Sequence, residues 1–174
     1  MKKNSSVAGE HRTEPRGYSA PAFLLAQVGA HAAAKFGERL RPLGISPAHA
    51  GILRILEVSP AITQQALANA LGSPPSRLVA LVDELESKGL IERQENETDR
   101  RRYALLLTSK GRSTLSSIGA LVKEHQNELL AALSEAEKHQ LTVLLMRISV
   151  HQGLRRGVHP GYSAVDRRCQ DREN

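Results

Sequence analysis

Residues 73–112 read "SPPSRLVALVDELESKGLIERQENETDRRRYALLLTSKGR" and carry three secondary-structure signals in direct succession. Ser73 is predicted to cap a helix that has Pro74 in its first turn. Gly89 is predicted to end this helix in a left-handed conformation, with Leu90 packed back on its last turn. Spacings of three and four give the helix one apolar stripe. The stripe consists of Leu78, Leu81, Val82 and Leu85.

Two short strands are predicted directly after this helix. The segments "LIERQE" and "YALLLT" have the composition or alternation of strands, and "NETDRR" separates them. They therefore predict a β-hairpin. Thr108 is then a good cap for the long helix that follows.

A second, shorter helix is predicted just before this stretch. In "AITQQALANALG", Thr63 is a suitable N-terminal cap and Gly72 a suitable left-handed C-terminal cap. The two helices joined by a tight turn form a helix-turn-helix pattern, although this segment alone is also compatible with an ordinary helical hairpin. The β-hairpin that follows favours a winged helix-turn-helix.

Long amphipathic helices are predicted on both sides of this centre. One runs from Pro21 to Arg41, and two follow Thr108, the second starting at a capping box of Ser134 and Glu137. They carry more apolar surface than a small winged domain needs, so we expect them to pack against a second copy. The predicted fold class is mainly α with a small β-hairpin wing, a winged helix-turn-helix flanked by a helical dimerisation region. The predicted organisation is a flexible arm at 1–17, a dimerisation region at 18–45 and 109–155, the DNA-reading domain at 46–108 and a flexible tail at 156–174.

Composition narrows the class of protein further. The net charge of +6 is compatible with an anionic partner. A single cysteine, Cys169, leaves no intramolecular disulfide framework and fits the reducing cytosol. No stretch approaches the roughly 20 apolar residues of a membrane span, and no secretory signal is recognised at the start. The expectation is a cytoplasmic protein without membrane contact.

Catalytic and metal-binding patterns are absent from the sequence. There is no Gly-rich phosphate loop, no nucleophile elbow and no His-Glu-x-x-His motif. The seven histidines form no ligand cluster, so no structural metal and no cofactor are predicted. The chain is predicted not to be an enzyme.

Three blocks of sequence resemble the MarR (multiple antibiotic resistance regulator) family of transcription factors. They are the run Leu81–Leu90, the wing triplet Asp99–Arg101 and the Leu-Thr-x-x-Gly block Leu107–Gly111. Together with the flanking helices, the resemblance covers roughly residues 20–152. It implies a homodimeric winged helix-turn-helix regulator on a pseudo-palindromic operator in double-stranded DNA. Many members are repressors released by small, often phenolic ligands, so a small aromatic or phenolic effector is implied here.

The resemblance also assigns roles in the wing. Arg101 corresponds to the arginine that enters the minor groove, and Asp99 holds it through a charge-assisted hydrogen bond. A solvated arginine at a hairpin tip is the weaker alternative. Arg100 and Arg102 contact phosphate or are simply solvated, and the sequence does not decide between these.

Further DNA contacts are predicted around the start of the second helix. Arg77 has the chemistry to read guanine, and helix N-termini with hydroxyls suit phosphate. For Ser73 a plain capping role is at least as plausible, and for one of the two glutamines so is simple exposure. The predicted contacts are Gln64, Gln65, Ser73, Pro75, Ser76 and Arg77.

Ala80 and Glu84 stand where family members often carry basic residues. This departure leaves open two other functions. One is an architectural DNA-binding protein with little sequence preference. The other is a protein-interaction module that has lost DNA binding.

The resemblance implies an effector pocket between the dimerisation helices and the winged domain, and three residues are candidates to line it. They are Phe23, His31 and Phe36. The alternative for His31, a core or dimer-interface residue, is favoured. Cys169 is interpreted as a bystander, because redox sensing needs a low-pKa thiol in a defined basic site.

Overall fold

The computed structural model describes residues 20–95, 103–155 and 157–158. Two compact units are distinguished, one that ends at Lys35 and one that starts at Phe36, and each is described by itself. A 3₁₀ turn, Arg41–Leu43, follows the first helix. The helices of the described residues are α1 (Pro21–Leu40), α2 (Pro47–Val58), α3 (Gln64–Leu71), α4 (Pro75–Ser87), α5 (Ser109–Leu129) and α6 (Glu135–His151). Their strands are β1 (Ile62–Thr63), β2 (Ile91–Glu95) and β3 (Tyr103–Leu107).

Local capping chemistry sets most helix starts where the sequence predicts them. Thr63 Oγ1 accepts from the Ala66 N–H at 3.2 Å, and Thr108 Oγ1 accepts from the Gly111 N–H at 2.9 Å. The capping box at the start of α6 is also present. These oxygens satisfy backbone donors that the first helical turn leaves unpaired.

The predicted cap at Ser73 is wrong. Its N–H donates to the Ala68 carbonyl at 3.1 Å, beside a left-handed Gly72 (φ +62°), so Ser73 belongs to the end of α3. The helix α4 begins one residue later than predicted, with Pro74 at its cap position and no side-chain cap. Two consecutive prolines fix the backbone angle φ at this start, and Pro75 has no N–H that would need an acceptor. The helix can therefore begin without a side-chain cap.

The predicted hairpin is confirmed and is part of a larger sheet. Strands β2 and β3 pair antiparallel from Ile91 opposite Leu107 to Glu95 opposite Tyr103. On its other edge β3 pairs with β1, which gives the order β1-β3-β2. Strand β1 is not predicted from the sequence, because two residues cannot show alternation. This short strand attaches the segment before α3 to the wing.

The core lies between α2, α3, α4 and the sheet, and is aliphatic. The end of α4 is the predicted left-handed turn: the Leu90 N–H donates to the Leu85 carbonyl at 3.0 Å, and Gly89 has φ +68°. The fully buried side chains include Leu40, Ile52, Leu53, Leu56, Leu67, Leu71, Leu78, Val82, Leu85, Ile91 and Leu105.

Much of the predicted apolar stripe of the terminal helices is exposed. On α6, Leu144 and Ile148 are each 46% exposed, and on α1 Val28 is 50% exposed. Along α5 the stripe is buried only at Ile118, and Val122 is open. None of the described helices is long and apolar enough to cross a membrane.

Candidate nucleic-acid interface and cleft

The helix-turn-helix formed by α3 and α4 exposes part of the predicted DNA-contact set. Gln65, Pro75 and Ser76 are exposed, and Gln64 is half-buried at the first position of α3. The exposed residues stand at the N-terminal turns of their helices, where free N–H groups and the helix dipole favour phosphate. The geometry is that of a backbone-reading surface.

Two other predicted contacts are more enclosed than expected. Ser73 is buried, and Arg77 is half-buried. Ser73 Oγ and Arg77 Nη1 are both shielded from solvent and lack a hydrogen-bond partner among the described residues. A shielded polar atom without a partner costs free energy, so a ligand oxygen brought to either atom would bind favourably.

An unpredicted arginine, Arg93 on β2, neutralises two acidic residues of α4. Its two terminal nitrogens contact Asp83 Oδ1 and Glu86 Oε2, so one guanidinium binds two carboxylates. Arg93 is largely enclosed, which strengthens such pairs relative to exposed ones. The clamp fixes the first strand of the wing to α4 and removes negative charge from a helix proposed to approach DNA.

His49 lies beside Glu84, the third acidic residue of α4. The histidine is buried in α2, and its Nδ1 accepts from the Ser46 N–H at 3.2 Å in a capping box. Its Nε2 lies 3.3 Å from Glu84 Oε2, although the geometry falls short of a hydrogen bond. Glu84 is thus placed toward α2. Burial lowers the pKa of His49, an effect that the Glu84 carboxylate opposes and Lys88 reinforces.

Replacing His49 by glutamine is expected to reduce the loss of stability in mild acid. Because burial lowers the pKa of the folded-state His49, the unfolded chain takes up the proton first as the pH falls below about 6.5. The wild-type free energy of unfolding should therefore fall there, by at most about 1.4 kcal/mol per pH unit from this group. Glutamine keeps a capping acceptor and does not titrate. Urea titrations at several pH values measure the difference.

His139→Gln is the matched control, because it makes the same exchange at an exposed position of α6. It should leave the pH dependence close to that of wild type. A His49→Gln curve with the wild-type slope would contradict the assignment.

The predicted wing contacts Asp99, Arg100, Arg101 and Arg102 lie outside the described residues, and so does Cys169. The base of the wing is described, and its two strands end at the pair Glu95 and Tyr103. Within the described part of the chain, no three His, Cys, Asp or Glu side chains are grouped to hold a metal ion.

A cleft of about 530 Å³ lies between α2 and α5. Its walls are mostly apolar, and Arg54 is the charged group among them. The predicted pocket residue Phe36 is part of the wall and packs against His125, with ring centroids 5.6 Å apart. Phe23 and His31 lie in the unit that ends at Lys35 and are exposed. Besides Phe36 and Arg54, the cleft is lined by residues that include Ala50, Leu115, Ile118 and Val158.

Arg54 was not predicted from the sequence. It stands in a mostly apolar helix, "PAHAGILRILEV", at an exposed position where a charged residue is usually solvated. Nothing in its spacing connects it with α5, so only the packing of α2 against α5 reveals it.

Comparison with known proteins is consistent with this geometry. A family model described as the MarR family matches residues 43–102, from just before α2 to just before β3. A Thauera aromatica protein, described as a candidate transcriptional regulatory protein for the hcr operon, is 39% identical over 105 residues. That alignment covers 60% of this chain, and the chain spans only 63% of the relative's length.

Two solved structures of the transcriptional repressor CouR are similar over most of the chain. CouR bound to a 23-mer DNA duplex is 29% identical, with a TM-score of 0.70, and the match covers 78% of this chain and 98% of that one. CouR from Rhodococcus jostii RHA1 bound to p-coumaroyl-CoA is 27% identical, with a TM-score of 0.62, covering 75% and 92%.

Proposed function

We propose that this chain, which belongs to the MarR family, is a homodimeric transcriptional regulator that binds double-stranded DNA and acts as a repressor released by a small ligand. The observation that carries the proposal is the exposure of the start of α4, together with the contacts of its acidic side chains. Its N-terminal turn is exposed, and its three acidic residues are held by Arg93 or face His49. The proposal includes no catalytic role.

The described surface supports contacts with both the phosphates of DNA and the base edges in its grooves. The starts of α3 and α4 offer N–H groups, and Gln64, Gln65 and Ser76 offer side-chain donors, to phosphate. Arg77, in the first turn of α4, is assigned to a base edge or a phosphate, which its half-buried guanidinium reaches by turning outward. Arg101 is assigned to the minor groove and Asp99 to orienting it, with Arg100 and Arg102 as candidate phosphate contacts.

The exposed apolar residues of the terminal helices support a dimer. Several large apolar side chains are exposed on each of these helices, which is typical of an interaction site. Such a dimer would present two recognition helices to half-sites about 34–36 Å apart. The residues assigned to this interface include Phe23, Leu24, Leu25 and Val28 on α1, and Leu144, Leu145, Met146, Ile148 and Val150 on α6.

The cleft between α2 and α5 supports an effector site. Apolar walls with one cation suit a ligand that has an apolar or aromatic body and a negative group, for which Arg54 supplies the counter-charge. CouR, a structural neighbour, binds p-coumaroyl-CoA, which has both features. We place the effector at Phe36 and Arg54. Phe23 and His31, in the unit that ends at Lys35, stay candidate ligand contacts on the sequence alone.

Operator binding is expected to be sequence-preferring and strongly dependent on salt. A dimer that neutralises about six phosphates should lose roughly a thousand-fold in affinity between about 50 and 200 mM salt. Fluorescence anisotropy with the intergenic duplex beside the gene measures this. A random duplex of equal length is the control, and equal weak binding to both would contradict the proposal.

An architectural role is the second candidate function, and Ala80 favours it. This exposed position of α4 offers no hydrogen-bonding group to a base. An architectural protein would bind operator and random duplexes alike, whereas a ratio above roughly 10³ would exclude it. Failure of every duplex, together with a co-purifying protein, would favour an interaction module instead.

A further inference from the structure

The C-terminal segment that follows α6 returns to the DNA-binding unit. α6 ends in a left-handed turn at Gly153 (φ +64°), where the Leu154 N–H donates to the Ser149 carbonyl at 2.9 Å. Arg155, Gly157 and Val158 then contact α2, α3 and the cleft, and these three residues are called the strap.

Arg155 of the strap binds the end of α3. Its Nη1 donates to the Asn69 carbonyl and, at 3.4 Å, to the Ala70 carbonyl. The last carbonyls of a helix lack intrahelical partners and carry partial negative charge, so a guanidinium is favourable there. The guanidinium also lies against Gly72, within the turn between α3 and α4. The strap therefore contacts the turn that orients the recognition helix.

The other two strap residues form part of the cleft wall. Val158 is half-buried, lines the cleft and packs against the core. Arg54 Nη2 donates to the Gly157 carbonyl at 2.7 Å. The cation proposed to receive the effector's negative group is thus already bound to an oxygen of the chain's own backbone.

We propose that the strap holds one wall of the cleft in place through Arg54, and that a small apolar anion binds there by displacing Val158 and taking Arg54 from Gly157. The inference rests on the proposed function for its regulatory meaning. Displacement also withdraws Arg155 from the end of α3, which connects cleft occupancy with the helix-turn-helix. The anion and the Gly157 carbonyl compete for the Arg54 guanidinium, so binding of the anion shifts the population toward molecules with a released strap.

Gly157 provides a selective way to unseat the strap. It has φ +70°, and an added Cβ would lie 3.3 Å from Arg54 Cζ and closer still to Nη2. Gly153 has the same backbone requirement, but an added Cβ there would meet nothing within 4 Å. Gly157→Ala should therefore push the Arg54 guanidinium away from the Gly157 carbonyl and weaken the seating of the strap, while Gly153→Ala applies a similar backbone cost without this collision.

The seating of the strap is tested with Val158→Trp in the full-length chain, which contains no other tryptophan. The introduced side chain should emit as a solvent-shielded indole and resist iodide quenching. Adding Gly157→Ala should shift the emission to that of an exposed indole, and adding Gly153→Ala should not. Circular dichroism controls for folding. An exposed indole in the parent, or no shift with Gly157→Ala, would overturn the proposal.

Competition is tested by calorimetry with octanoate as the apolar anion. When the seated strap competes with the anion for Arg54 in most molecules, the apparent affinity is reduced to the fraction with a released strap, so Gly157→Ala should bind roughly ten-fold tighter than Gly153→Ala. Equal binding to both variants, or binding to neither, would overturn the assignment of the strap as a competitor for a ligand site. Neither experiment contains DNA, so a failure of DNA binding is recognised separately.

Discussion

Replacing Gly111 by alanine is expected to lower the free energy of unfolding by about 3 kcal/mol, because the added methyl would meet backbone. A Cβ at this position would lie 3.0 Å from the carbonyl carbon of Leu90, and closer still to its oxygen. That oxygen accepts from the Thr108 N–H at 3.2 Å. A rotamer change cannot relieve the clash, so α5 must move away from the end of α4.

The movement would disturb several contacts at once. Thr108 Oγ1 donates to the Gly89 carbonyl and Lys110 Nζ to the Lys88 carbonyl, both at 2.7 Å. These bonds fasten the start of α5 to the end of α4. Urea unfolding followed by circular dichroism measures the loss.

Gly119→Ala in the same helix is the matched control. An added Cβ there meets nothing within 4 Å, and alanine is the better helix former, so this variant should be as stable as wild type or more stable by about 0.5–1 kcal/mol. A Gly111→Ala midpoint equal to that of Gly119→Ala would show that the approach of α5 to Leu90 is not tight.

Sequence reasoning succeeded where the cause is local. Thr63, Thr108 and Ser134 cap their helices because a side-chain oxygen reaches a backbone donor three residues on, a relation visible in the chain itself. The same holds for the left-handed turn at Gly89. The resemblance identified the Leu-Thr-x-x-Gly block. The structure explains its glycine, Gly111, by the close approach of α5 to the Leu90 carbonyl.

Long-range contacts account for what was not predicted. Arg93 finds Asp83 and Glu86 only because β2 folds back along α4. Arg54 meets Gly157 across 103 positions of sequence. No periodicity or cap records such a pairing.

Ser73 was misassigned for a different reason. Serine before proline suits a helix start, but Gly72 and the Ser73 N–H complete the end of α3 instead. The turn between the two helices is so short that Ser73 fits both the end of α3 and the start of α4 in the sequence. Only the positions of both helices decide between them.

Replacing Arg101 by alanine is expected to weaken operator binding by roughly thirty-fold per wing, about 2 kcal/mol, without loss of the fold. Residues 95–102 hold Glu95, Glu97 and Asp99 against three arginines, so their net charge is zero. Bulk attraction to DNA is therefore a poor account of this segment. A guanidinium that is proposed to be oriented by Asp99 into a narrow minor groove contributes through its position. Its removal should therefore lower the operator affinity by much more than the loss of one unit of charge elsewhere.

Two neighbouring variants separate these explanations. Arg101→Lys keeps the charge but not the planar guanidinium, and should still bind more weakly than wild type. Arg100→Ala removes the same charge next to it, and should mainly lower the salt dependence by about one unit. Anisotropy titrations at several salt concentrations, with circular dichroism as the fold control, measure all three. If Arg101→Ala and Arg100→Ala weakened binding equally, Arg101 would be a phosphate contact and not the minor-groove residue. The clamp at Arg93 makes the comparison interpretable, because it fixes the base of the wing to α4 independently of either arginine.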